Sequence, residues 1–281
     1  MIVERFRQSL VGEVRALFND SARNETPVQR AVDPFIPAGS VAWRVHGDVT
    51  TMMVGGVAAL LLEMLHPSAL AGVWDHSNFR KDMLGRLRRT ARFLAVTTYG
   101  AHADAEAAIA RVRRIHSHVT GTRPDGVGYV ADDPRLLAWI HVAGAICFLD
   151  AWRRFGEPGM SAADQDAYFA DVAPVALALG ADPVPVTRDE AEAIIASFRP
   201  ELSADARSRE IAEIVLKAGG TSLKVASVQG LLGQAAIDLL PPWARSMHGL
   251  RASRLARPAV DIATFGMAST LRWAFADGYR R

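Results

Sequence analysis

The chain has one cysteine, Cys147, in 281 residues. An internal disulfide, a thiolate zinc site, an iron–sulfur cluster and a CxxCH haem attachment all need more, so all are excluded. A chain without disulfides suits a reducing compartment, and a cytoplasmic protein is the expectation. Lysine is scarce too. Lys81, Lys217 and Lys224 are the three among 32 basic residues, and the rest are arginine. Net charge is only +2, so no concentrated basic face points to nucleic acid. Long apolar runs are missing as well. The two longest, 54–62 and 138–149, fall short of the ~20 residues of a membrane helix, and the second contains His141. No membrane span is expected. The N-terminal stretch is charged every few residues and does not read as a signal peptide. No GxSxG, Walker loop or HExxH occurs.

What is present reads as helix. Half of the residues are hydrophobic and 22% are charged, which suits an ordinary folded chain and not a disordered one. Apolar residues recur at three and four over 2–18, and further helices are expected at 41–65, 67–74, 81–99, 104–120 and 134–155. Less distinct ones follow at 161–180, 188–198, 203–218, 225–240 and 258–278. Segment 20–39 reads as a connector and 121–131 as a Gly-rich loop, and strand signals are nearly absent. No linker is long enough to separate two units. The expectation is one all-α domain over residues 1–281.

The eight histidines are the informative set. At 100° per residue, His116 falls on the apolar stripe of its helix with Ala105, Ile109, Val112 and Val119, while His118 faces away. A core histidine is commonly a hydrogen-bonded packing residue. The other reading is an axial ligand, because haem asks for one neutral imidazole from a helix with little water nearby. On the preceding helix Arg86, Thr90 and Thr97 share a stripe at the core margin. Arg86 and Thr90 could hold an anion or bound oxygen there, or Arg86 could simply lie over apolar surface. The 134–155 helix is apolar on every side from Leu136 to Leu149 and carries His141, a packing histidine or a pocket-lining one. Glu63 and His66 form a single ExxH, and without a second copy a di-iron bundle is not indicated. Gly55-Gly56 reads as a close helix contact.

Several segments together resemble the MpaB-like oxygenase family, which includes the latex-clearing rubber oxygenase. They are VAWRVHGDVTTMMVGG (41–56), LHPSALAGVWDHSNFR (65–80), GRLRRTARFLAVTTYG (85–100), RRIHSHVTG (113–121) and DPRLLAWIHVAGAICFLDAWRRFG (133–156). The 161–180 segment and LLPPW (239–243) fit as well. The resemblance covers about 41–180, and residues 181–281 are added helices. It implies a globin-like helical core around non-covalent haem b, with O2 as co-substrate. It also implies His116 as the iron ligand and Arg86, Arg89 and Thr90 as the distal catalytic set. His141 and Arg44 are implied as further cofactor-binding residues. One motif lysine of the latex-clearing branch is arginine here, which keeps the charge and changes the shape. That branch also uses an upstream glutamate as base. Spacing would put it near Ser68–Leu70, where this chain has no acid.

The resemblance implies a haem-dependent oxygenase acting on a hydrophobic small molecule, by cleavage of a carbon–carbon double bond, with an electron donor as a further partner. The alternatives are an oxidase, dehydrogenase or coupling enzyme on the same scaffold, or a haem carrier without turnover.

Overall fold

Asp48 divides what the sequence reads as one long helix over 41–65. In the computed structural model, which describes residues 2–19, 25–218, 223–252 and 255–276, α1 (Ile2–Phe18) is followed by α2 (Val41–His46) and then by α3 (Val49–Glu63). Asp48 is the N-cap of α3, its carboxylate accepting from Thr51 N at 2.8 Å. That carboxylate also accepts from Arg272 Nε at 2.6 Å. An Asp after a Gly is a legitimate helix start, but the unbroken apolar pattern on both sides hid it.

The next elements are α4 (Pro67–His76), α5 (Phe79–Tyr99) and α6 (His102–His116). α5 is kinked at Asp82, whose carboxylate accepts from Gly85 N at 2.8 Å and so caps the longer part. The expected 121–131 loop contains a small antiparallel hairpin, β1 (Thr120–Thr122) with β2 (Gly128–Val130), Gly121 facing Tyr129. Gly126 turns it with φ +87°. Three-residue strands leave no alternation to read.

α7 (Pro134–Phe155) matches its expected bounds, with Asp133 as N-cap accepting from Leu136 N at 2.8 Å. α8 (Ala162–Leu179) and α9 (Arg188–Phe198) also fall where expected. Then come α10 (Ala206–Lys217), α11 (Leu223–Leu239), α12 (Pro242–His248) and α13 (Arg257–Phe275). Only α12 lacks a counterpart in the sequence reading. The last residues of the expected 258–278 helix lie outside the described ones.

The architecture is thus mostly helical. α3 and α7 form its centre, with α11 and α13 packed on α3 and with α8 and α9 on α7. One apolar cluster runs from Val54 and Trp139 to Ile211, Leu232 and Ala244, so residues beyond 181 share the central core. α7 is long and apolar enough to cross a membrane, yet 67% of its most apolar window is buried inside this fold.

The α3–α7 contact depends on Gly55. A Cβ there would lie 2.8 Å from Phe148 Cδ1, 2.9 Å from Phe148 Cα and 3.0 Å from Cys147 O. Two of those three atoms are backbone, which cannot step aside. At Gly56 the nearest atom would be Phe148 Cε1 at 3.6 Å, an ordinary contact. Gly55→Ala is therefore expected to cost about 1–3 kcal/mol by overpacking. Gly56→Ala is expected to cost less, and urea unfolding of both variants checks the difference.

Candidate active site

α5 runs beside the α3–α7 pair without close backbone approach to either. From Leu84 to Val96 none of its residues is fully buried, although Leu84, Leu87 and Leu94 are apolar. An amphipathic helix in the middle of a chain normally seals its apolar face. Leu87 and Leu94 pack, partly buried, against the central apolar clusters.

Glu63 of α3 and Arg86 of α5 lie within electrostatic reach of each other, and His141 of α7 is a third desolvated ionisable side chain. Glu63 ends α3, Arg86 lies two turns into α5, and His141 lies two turns into α7. Each keeps partial accessibility, yet each is strongly desolvated. Burial pushes the Glu63 carboxyl up to about 7, and the Arg86 guanidinium opposes that shift. Burial holds His141 down to about 4. Arg86 is itself lowered by burial, with Glu63 opposing and Arg89 adding to the effect. Glu63 and Arg86 thus form a coupled pair, and its proton belongs to the pair.

The local anchors are clear. Trp139 Nε1 donates to Glu63 O at 3.2 Å, tying the end of α3 to α7. Gly144, on the same face of α7 as His141, lies beside the acid: a Cβ there would sit 4.0 Å from Glu63 Oε1, an ordinary contact. Arg86 Nη1 donates to Ser77 Oγ at 3.1 Å. His141 Nε2 is buried with no hydrogen-bond partner, an orphan that a bound group could satisfy.

His116 ends α6 and faces inward, as its helical stripe implies, and His118 is exposed. Burial lowers the His116 pKa, with Asp132 opposing, so the ring is neutral at neutral pH. Among the described residues no group hydrogen-bonds to that ring. A neutral, unpartnered imidazole is the state a haem iron requires, so the chemistry of the His116 ring fits such a group. Among the described residues no set of three His, Cys, Asp or Glu side chains is placed to hold a metal ion.

Other expected site residues lie elsewhere. Arg89 is exposed and pairs with Asp82 at 3.2 Å. Thr90 is exposed, and its hydroxyl donates back to Arg86 O at 3.3 Å. Thr97, on the same expected stripe, is buried and bonds to Phe93 O at 3.0 Å. Arg44 lies at the outer surface, paired with Glu157 at 2.9 Å and Asp164 at 2.7 Å. In the lone ExxH the two side chains diverge. His66 caps α4, its Nδ1 accepting from Ser68 N at 3.2 Å, while Glu63 turns toward Arg86.

Glu63 is the residue that sequence reasoning passed over as an acid partner of Arg86. The available signal was an acid at the end of an otherwise apolar helix.

With this geometry in hand, comparison with protein families is decisive for class. The chain is matched over residues 43–273 by the family described as ER-bound oxygenase mpaB/B'/rubber oxygenase, catalytic domain. It belongs to that oxygenase family. Comparison with curated proteins and with solved structures finds no match.

The raised Glu63 pKa carries a sign. The unfolded acid titrates near 4.5 and the folded one at about 7. Between those values the folded state holds more protons, so Glu63 makes stability fall as pH rises through that window, and the penalty is constant above it. The full effect is on the order of 3 kcal/mol. The stability gain of Glu63→Gln over wild type should therefore grow from about pH 4.5 to pH 7. Urea unfolding across that range measures it, and a difference independent of pH would refute the assignment.

Proposed function

We propose that this chain is a haem-dependent oxygenase acting on a hydrophobic small molecule, with a globin-like arrangement of helices around the cofactor. The carrying observation is the desolvated Glu63–Arg86 pair between α3 and α5 in a member of an oxygenase family.

Bound haem would supply O2 activation, and His116 would hold its iron. The chain's own residues do the rest. Arg86, fixed by Ser77 Oγ at 3.1 Å, donates hydrogen bonds where negative charge develops on oxygen, worth far more in a dry site than in water. Glu63, poised at about 7, accepts or returns a proton at its carboxylate near the operating pH, as an acid–base group must. His141, neutral and deep, adds polarity without adding charge. Oxidative cleavage of a carbon–carbon double bond fits this set. The acid that seemed missing at Ser68–Leu70 has its counterpart in Glu63.

The first test is the visible spectrum of protein produced with ample haem. A Soret band that shifts on reduction and again with carbon monoxide is expected, and it should be lost in His116→Ala. A featureless spectrum after attempted reconstitution, or full haem retention in that variant, overturns the assignment. In Glu63→Gln the band should persist while turnover of a substrate found by screening falls by about 10²–10⁴-fold.

A further inference from the structure

α13 is apolar on two faces, and the fold covers only one of them. The inner face carries Thr264, Ala268 and Ala274, all buried. The outer face carries Ile262, Phe265 and Trp273, which are 74%, 46% and 45% exposed. At 100° per residue these three and Ser269 fall within an arc of about 80°, flanked by Gly266 and Thr270. No charged side chain interrupts that arc. Arg272 turns inward to Asp48 and to Phe155 O, each at 2.6 Å. Asp261, the one acid of the helix, is paired with Arg154 at 2.5 Å. A helix that is apolar all round is normally covered all round.

The exposure is concentrated. Among the described residues the exposed Phe and Trp side chains are Phe6, Phe265 and Trp273. All three lie on α13 or on α1, which packs against it. Exposed apolar residues scattered singly are ordinary, while a row of them along one helix marks a contact surface.

The charge beside the row has one sign. Leu255, just ahead of α13, is 95% exposed. Arg251 and Arg257 stand before and after it in the chain, both exposed and in no ion pair among the described residues. An aliphatic side chain between two cations, followed by an uncharged row that ends in Trp273, has the chemistry of a helix at a lipid–water interface. There the arginines meet phosphate and the apolar row enters the acyl boundary. A second copy of the chain would bring the same two arginines, with no unpaired acid on α13 to receive them. α13 is not apolar enough to cross a bilayer, so it lies along the surface.

We propose that the outer face of α13, with Arg251, Leu255 and Arg257 ahead of it, docks this chain on the surface of an anionic phospholipid bilayer.

The surface stands on its own. Delivery of a lipophilic substrate from that bilayer would rest on the oxygenase reading; the docking does not.

The test is co-sedimentation of the full chain with vesicles. Phosphatidylcholine vesicles with about a quarter phosphatidylglycerol should bind it, more weakly as salt rises, and pure phosphatidylcholine should bind it less. Ile262→Ser with Phe265→Ser should lower the partition coefficient at least about tenfold. Arg251→Ala with Arg257→Ala should lower it about 10–30-fold on the anionic vesicles only. All four side chains point outward, so the melting temperature should hold. Leu177→Ser, at an exposed apolar position of α8, should bind as wild type does. Absence of binding to the anionic vesicles, or equal losses in Leu177→Ser and the α13 variant, overturns the proposal. Dimerisation abolished by the α13 substitutions, without vesicle binding, gives the face to a second copy and overturns it too. Haem content does not enter the result, so failure of the oxygenase reading would be seen separately.

Discussion

The close approach of α3 and α7 at Gly55 is the constraint on which the rest of this structure hangs. Because Phe148 and the Cys147 carbonyl sit where a Cβ would go, the two helices touch backbone to side chain along the centre of the molecule. That contact fixes the azimuth of both. With Gly55 against Phe148, Glu63 two turns further along α3 meets the first half of α7, where Trp139 Nε1 donates to its carbonyl and Gly144 lies beside its carboxylate. α13 locks the arrangement from outside. Arg272 donates at 2.6 Å both to the Asp48 carboxylate, which starts α3, and to the carbonyl of Phe155, which ends α7. One guanidinium thus ties the two central helices at their joined ends.

Against this rigid pair, α5 is the looser wall, and the contrast produces the site. Dense packing on all sides would leave no room for a reactant, while an open cleft would let water quench the electrostatics. Here an acid and a base share desolvated surroundings. A lone carboxylate in such surroundings would bind a proton outright. The Arg86 charge pulls Glu63 back toward ionisation, and the outcome is a group poised at about 7. Glu63 owes that poise to two opposed effects, of which burial is the larger.

Much of this was legible in the sequence. The facing of His116, the central position of α7, the bounds of α7 and α9 and the Gly55 contact all follow from helical geometry and residue size. Those are properties of single elements, and periodicity reports them directly. Properties of pairs of elements were not legible. Arg89 and Thr90 belong to the same short motif as Arg86, yet their azimuths carry them to solvent. Arg44 sits in a resembling segment, and only the approach of α8 shows that its charge is spent on Glu157 and Asp164. Glu63 was hidden for the opposite reason. It lies 23 residues before Arg86 in sequence, and the turn into α4 had to be known before the two could be placed together.

The distribution of histidines follows the same logic. His46 and His66 are buried with both ring nitrogens engaged or facing a charged partner, by Thr98 and Tyr168 in one case and by Ser68 and Glu201 in the other. Those rings are held by the fold. His116 and His141 are inward yet lack partners among the described residues, with Nε2 of His141 fully enclosed. Leaving a buried polar atom unmade costs about 1–3 kcal/mol. His141 bears that cost in α7, and a group bound beside its ring would relieve it.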